Sequence, residues 1–251
     1  MLLEGRNAVV YGGGGAIGGA MAQAFAREGA RVHLVGRTPE PLEAVATGIR
    51  AAGGAVETAC VDALDGAAVD AHAEAVVARA GSIDVSVNVV SLGDVRGTPL
   101  ADMALEDYER PVRTAVRTTF LTARAAARHM MRQGSGVILF FGGDGDPLPG
   151  YCPGGLQVAF SAVEAFRRTL ASELGPHGVR VLTLRTGGVP ETLPAGFEGA
   201  EAITADIERL TMLGRPATLA DVGNAAVFAA SDLARSLTAT SLNISCGAHV
   251  D

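Results

Sequence analysis

Short apolar runs recur along the chain and are separated by longer stretches in which apolar residues return every three to four positions. The runs at 8–11, 32–35, 56–61, 85–90, 137–141, 179–184 and 242–244 predict strands. The stretches at 17–28, 41–52, 67–80, 107–131, 159–174 and 219–230 predict helices. Punctuation agrees with this reading: Thr38-Pro39 suits a helix start, Gly29 and Gly53-Gly54 suit helix ends, and Gly81-Ser82 breaks the chain before a strand. Strand followed by helix, repeated, implies right-handed crossovers and a parallel sheet covered on both faces, which is a doubly wound α/β architecture.

Composition narrows the picture. A chain of 251 residues suits one sizeable α/β domain, so a single domain over residues 1–251 is expected. Hydrophobic residues make up 48%, Gly numbers 33, aromatics are 4% and Trp is absent, which suits close layers of Ala, Val, Leu and Gly. The net charge of −7, with Arg scattered among Asp and Glu, offers no basic stripe, so nucleic acid is not expected as a partner. The start, interrupted by Glu4 and Arg6, does not read as a signal peptide and no apolar run reaches membrane-spanning length; a cytoplasmic protein with no membrane association is expected. Cys60, Cys152 and Cys246 are far apart and lack a CxxC pair, and His33, His72, His129, His177 and His249 are dispersed, so neither a disulfide framework nor a metal site is expected.

Candidate chemistry starts at the end of the first strand. Gly12-Gly13-Gly14-Gly15-Ala16-Ile17-Gly18 follows a strand and opens a helix, the context in which backbone amides and the helix dipole hold a pyrophosphate in a Rossmann-type fold. Gly also serves plain turns that hold nothing. At the end of the second strand an NAD site would carry an Asp or Glu for the ribose hydroxyls; here the residues are Gly36-Arg37. Gly leaves room and Arg offers a planar fork for a 2′-phosphate, which favours NADP(H) over NAD(H). Two Gly- and Pro-rich stretches, 142–155 and 186–200, follow strands and fall at the carboxyl edge of the sheet, where such folds bind ligands.

These residues, with VVYGGGGAIGGAMAQAFAREGARVHLVGRT, Val61-Asp62, IDVSVN at 83–88, FLTARAAARHM at 120–130, LASELGPHGVRV at 170–181, and LGRPATLADVGNAAVFAASD with the final NISCGAHVD, make essentially the whole chain resemble the short-chain dehydrogenase/reductase family, close to the 3-oxoacyl carrier-protein reductase type. The resemblance implies a cofactor set of Gly12, Gly14, Gly15, Ile17 and Gly18 under the pyrophosphate, Arg37 at the adenosine end, Asp62 beside the adenine, Asn88 beside the ribose, and Thr192 near the carboxamide of the nicotinamide. Tyr11 stands where the family usually has Thr, and Ala16 where it usually has a second Gly. Val89-Val90-Ser91 and Thr186-Gly187 depart from the family's small residues and its Pro-Gly, so the nicotinamide end is the more altered one.

The family reduces carbonyls with a Tyr acid, a Lys that lowers the Tyr pKa, a Ser that binds the oxygen and an Asn that supports the relay. Counted from the flanking matches, these positions fall on Leu156, Phe160, Gly143 and Ala115, none of which can give or take a proton. Tyr151 is the one phenol in the loop before Leu156 and a candidate replacement acid; Asp144 and Asp146 read as turn residues. All 20 basic residues are Arg, which cannot pass a proton as Lys does.

Two readings follow. One is a divergent NADP(H)-dependent oxidoreductase without the usual relay. The other is a non-catalytic ligand-binding, sensor or partner-subunit protein with a small apolar ligand against Leu156 and Phe160. A substrate-side lid is expected near 186–205. Self-association into a dimer or tetramer is expected through the helices at 107–131 and 159–174.

Overall fold

The structure is a computed structural model that describes residues 1–143, 151–194 and 196–250. Seven strands among them form one parallel sheet: β1 (Asn7–Tyr11), β2 (Arg31–Gly36), β3 (Val56–Cys60), β4 (Val85–Asn88), β5 (Gly136–Gly142), β6 (Val179–Arg185) and β7 (Thr240–Asn243). Their spatial order is β3-β2-β1-β4-β5-β6-β7. Registry is continuous: Val10 lies beside Leu34 and Val87, and Leu139 beside Leu182. The order reverses between β1 and β4, which opens a crevice at the carboxyl ends of those two strands.

Alternation along the strands sorts the core into two layers. Val10, Leu34, Val87, Leu139, Leu182 and Leu184 face one layer, closed by α1 (Ala16–Arg27), α2 (Pro39–Ala51) and α7 (Leu219–Ala230) through residues such as Met21, Phe25, Ile49 and Val222. Val9, Val35, Ile138, Phe140 and Val181 face the other, closed by α3 (Gly66–Ala80), α4 (Leu105–Gln133) and α5 (Leu156–Leu174) through Val69, Val76, Ala123, Met130 and Leu170. Both faces are therefore covered, as a parallel sheet requires. Gly81 and Gly134 adopt left-handed backbone just past α3 and α4, satisfying the last carbonyls and turning the chain into the next strand.

One element was not expected from the sequence. α6 (Ala200–Leu210) occupies part of the stretch read as an irregular lid, preceded by a single 3-10 turn at Pro190–Thr192. Gly196 and Gly199 hide its start, and it buries none of its residues, so apolar patterning for a core contact is weak. β7 also begins earlier and stops at Asn243, short of Ile244. Asp144 and Asp146 lie outside the described residues.

The α3 layer buries an unusual polar pair. His72 stands on the inward stripe of α3 with Val69, Ala73 and Val76, and its ring meets Tyr11 edge-on at 6.1 Å. His33 on β2 is 2% exposed, and neither of its ring nitrogens has a hydrogen-bond partner among the described residues. Burial lowers the pKa of His72 to about 4, helped by the neighbouring His33 and Arg79; burial also lowers that of His33, against the pull of Glu57. Burial, with Asp70 nearby, raises that of the Tyr11 phenol. The folded state therefore prefers a neutral His72: above pH 6.5 nothing is lost, and stability falls as the pH drops from 6.5 toward 4, because the unfolded chain takes the proton first. From pH 7 to pH 5 this one group should cost about 2 kcal/mol of unfolding free energy. Denaturant titrations at the two pH values check this: His72→Leu should remove roughly one proton from the pH dependence.

Candidate cofactor site and the altered catalytic positions

The glycine turn sits where the sheet order reverses. Gly12 and Gly13 donate to the Val35 carbonyl at the end of β2, at 2.8 and 3.1 Å, and Gly15 donates to the Gly12 carbonyl at 3.0 Å. Gly12 is left-handed, and a Cβ built there would lie 2.4 Å from the Val89 carbonyl oxygen. A Cβ on Gly18 would lie 2.3 Å from the Gly12 oxygen, and one on Gly14 would press on Pro41 at 2.9 Å. The chain's own packing thus demands glycine at 12, 14 and 18.

Gly15 differs. Its backbone is ordinary extended (φ −82°, ψ 165°), it is exposed, and a Cβ there would meet nothing closer than the Gly12 oxygen at 3.4 Å. It is the N-cap of α1, which has no side-chain cap and no acidic residue in its first turn. The orphan amides of Ala16, Ile17 and Gly18 therefore have no anionic partner from the chain, and a side chain at 15 would stand in front of them. A dinucleotide pyrophosphate fits this arrangement in both charge and room.

The other adenine-side residues lie on neighbouring loops. Arg37, just past β2, is exposed and makes no hydrogen bond or ion pair with the described residues. Asp62, past β3, is exposed; its Oδ1 accepts from Leu64 N at 3.0 Å, and the carboxylate shapes its own turn. That loop is held to α4 by Arg117, whose Nε donates to the Leu64 carbonyl at 2.9 Å. Asn88 closes β4: its Nδ2 donates to Thr122 Oγ1 at 3.0 Å and its Oδ1 accepts from Val90 N at 3.2 Å, so both ends of the amide brace protein. Thr192 ends the short 3-10 turn and donates its hydroxyl to the Val189 carbonyl at 2.7 Å.

Of the four positions counted as catalytic, Gly143 and Phe160 meet beyond the end of β5. A Cβ on Gly143 would lie 3.5 Å from Phe160 Cε2 and 3.2 Å from the Thr186 carbonyl oxygen, so β5, α5 and the end of β6 converge there. Leu156 opens α5 and is buried; its place is set by Gly155, whose Cβ would fall 2.0 Å from the Tyr108 carbonyl oxygen of α4. Ala115, on α4, is buried in the same layer as Ala159 and Phe140. Tyr151 is 46% exposed and stands near Arg96, whose Nε donates to Asp94 Oδ2. The loop carrying Tyr151 is tied to that of Arg96 by Gly97 N donating to the Cys152 carbonyl at 2.9 Å.

One side chain near this apex escaped the sequence reading. His249 follows β7 and comes back to the Thr186-Gly187 segment, its Nε2 3.7 Å from the point a Gly187 Cβ would occupy. Ligand spacing, the property by which the histidines were judged, carries no signal for a single imidazole returned by a turn. Among the described residues no three His, Cys, Asp or Glu side chains gather as a metal ion would need, and no helix is long and apolar enough to cross a membrane.

A doubly wound sheet with a glycine turn at the point of strand reversal defines a nucleotide-binding class of α/β protein. Comparison with known proteins makes this specific. A family described as "Enoyl-(Acyl carrier protein) reductase" matches residues 14–249. D-threitol dehydrogenase of Mycolicibacterium smegmatis is 32% identical over 251 residues, covering 98% of this chain and 93% of that protein. The structure of a short-chain type dehydrogenase/reductase from Mycobacterium ulcerans superposes with a TM-score of 0.90 at 28% identity, covering 99% and 91% of the two chains. A gluconate 5-dehydrogenase from Burkholderia cenocepacia, solved in complex with NADP and tartrate, gives 0.87 at 27% identity, covering 98% and 96%. The chain belongs to the short-chain dehydrogenase/reductase family of oxidoreductases.

The two kinds of glycine in the turn separate on mutation. Gly15→Asp should keep or raise the melting temperature, since Asp is a good N-cap, while abolishing NADPH binding by repelling the phosphates. Gly18→Ala should destabilise the fold by more than about 2 kcal/mol through overpacking. Melting curves and calorimetric titration of both variants check this; NADPH binding unchanged in Gly15→Asp would show that the turn holds no phosphate.

Proposed function

We propose that this chain is an NADP(H)-binding oxidoreductase whose usual proton relay is gone. The observation that carries the reading is Gly15, a glycine the chain does not need for itself, placed over the uncapped first turn of α1. On this reading Gly12, Gly14, Gly15, Ile17 and Gly18 form the cradle, Arg37 pairs with a 2′-phosphate, Asp62 meets the adenine side, and Asn88 and Thr192 lie toward the nicotinamide. The NADP bound to the Burkholderia cenocepacia relative supports the choice of dinucleotide, as does the unpartnered guanidinium of Arg37.

The bound dinucleotide supplies a hydride. What the chain adds is position and exclusion of water. Leu156 and Ala115 are buried, and Phe160 presents its ring edge toward Gly143, so these side chains hold no proton and leave an apolar wall. A substrate here is oriented by packing, under the cover of the 186–205 segment and α6 acting as a lid. The loss of polar chemistry at all four positions also favours a second reading: a non-catalytic protein that binds the dinucleotide or a small apolar ligand and acts as a sensor or partner subunit.

Titration with NADPH and NADH tests the first part. NADPH should bind at least about tenfold more tightly than NADH, a difference of about 1.4 kcal/mol, and Arg37→Ala should erase the preference. Absence of binding by either nucleotide would overturn it. Restoration separates enzyme from binder. Gly143→Ser, Leu156→Tyr and Phe160→Lys combined should create NADPH-dependent reduction of simple ketones if the scaffold still aligns cofactor and substrate; silence with cofactor bound favours the binder.

A further inference from the structure

Beyond β7 the chain makes a tight turn at residues 245–248. Ala248 N donates to the Ser245 carbonyl at 3.1 Å, and the two central residues, Cys246 (φ 56°) and Gly247 (φ 85°), are both left-handed. A Cβ on Gly247 would lie 2.6 Å from Met212 Cβ, so the turn is seated against the segment that follows α6. Asn243 and Ser245 then clamp His249 by its backbone. Asn243 Nδ2 donates to the His249 carbonyl at 2.8 Å, and His249 N donates to Ser245 Oγ at 3.1 Å, while that hydroxyl donates to Asn243 Oδ1 at 2.6 Å.

The clamp leaves the imidazole itself free. It is half-buried, makes no hydrogen bond with the described residues, and no described carboxylate or guanidinium forms an ion pair with it. Its Nε2 approaches Gly187, and Gly187 follows Thr186, whose carbonyl oxygen packs on Gly143 beside Phe160. A Cβ at 187 would press on Ala248 Cβ at 2.6 Å, so glycine is what lets the C-terminal turn bring the ring this close to the Thr186-Gly187 segment.

We propose that His249 is a proton-bearing side chain of this site, standing beside the Thr186-Gly187 segment that packs on Gly143. The proposal rests on the oxidoreductase reading above. A carbonyl that receives a hydride becomes an alkoxide; the imidazolium gives its Nε2 proton to that oxygen, so that C=O plus hydride plus proton becomes CH–OH, and the neutral ring recovers a proton from solvent along its exposed edge. An imidazole can both give and take a proton in this exchange without the help of a lysine, which the chain lacks entirely.

Histidine NMR of the full chain tests it, with NADP⁺ and NADPH as probes that differ in the charge of the nicotinamide ring. His249 should shift on addition of either nucleotide, and its titration midpoint should fall with NADP⁺ relative to NADPH, because the positive ring disfavours the imidazolium. His129 and His177 should not respond. His249→Gln should remove the responsive signal and keep NADP⁺ affinity within about twofold, equivalent to about 0.4 kcal/mol. If both nucleotides bind and His249 titrates identically in the two complexes, the proposal is overturned while the cofactor reading stands. If neither binds, the cofactor reading fails and takes this one with it.

Discussion

Backbone meets backbone at the end of β1, and the site depends on that approach. Gly12 lies so close to the Val89 carbonyl, and Gly18 so close to that of Gly12, that no side chain fits between them. These contacts draw the start of α1 down between the ends of β1 and β4, at the point where strand order reverses. An uncapped helix N-terminus is thereby fixed over the crevice, and the hydrophobic layers on both faces of the sheet hold it there. Interior packing accounts for most of the glycines in the turn. Gly15 alone among those discussed is not demanded by the chain's own packing.

The opposite end of the crevice obeys a different constraint. Where β5, β6 and α5 converge, a working relay would require a phenol and an amine in largely buried positions, each needing partners to offset desolvation. Leu156 and Phe160 remove that requirement and fill the space with apolar surface. Asn88 shows the same tendency, since both ends of its amide are engaged by Thr122 and Val90. On the proposed reading the adenine side is polar and open and the nicotinamide side apolar, with Phe160 against Gly143 and the imidazole of His249 returned by the C-terminal turn to neighbouring Gly187.

Much of this was readable in the sequence because it rests on local rules. The apolar runs that became β1 to β6, the glycine turn, and Arg37 in place of an acid all depend on neighbours a few residues away. Gly143 and Phe160, placed by their distance from flanking motifs, lie against each other beyond β5. What escaped depends on long-range placement. α6 buries no residues and so lacks the patterned core stripe that announces a helix. Tyr151 stands near Arg96 because Gly97 N donates to the Cys152 carbonyl, a tie across 55 positions that no local pattern reveals. His249 reaches Gly187 only because Cys246 and Gly247 both adopt left-handed backbone. His72 and His33 are buried together by the packing of α3 on β2, with both His33 ring nitrogens and His72 Nδ1 lacking a hydrogen-bond partner among the described residues, a placement that sequence spacing does not reveal.

On the proposed reading one end of an inherited nucleotide site keeps its phosphate cradle and the other has lost its proton chemistry. A crystal structure of the protein grown with NADP⁺ tests it most directly. The pyrophosphate should lie on the amides of Ala16, Ile17 and Gly18, the 2′-phosphate within hydrogen-bond reach of Arg37, and the nicotinamide ring beside Phe160 with His249 nearby. Crystals without the nucleotide, or with it bound away from the Gly12–Gly18 turn, would show that the glycine turn is not a dinucleotide site.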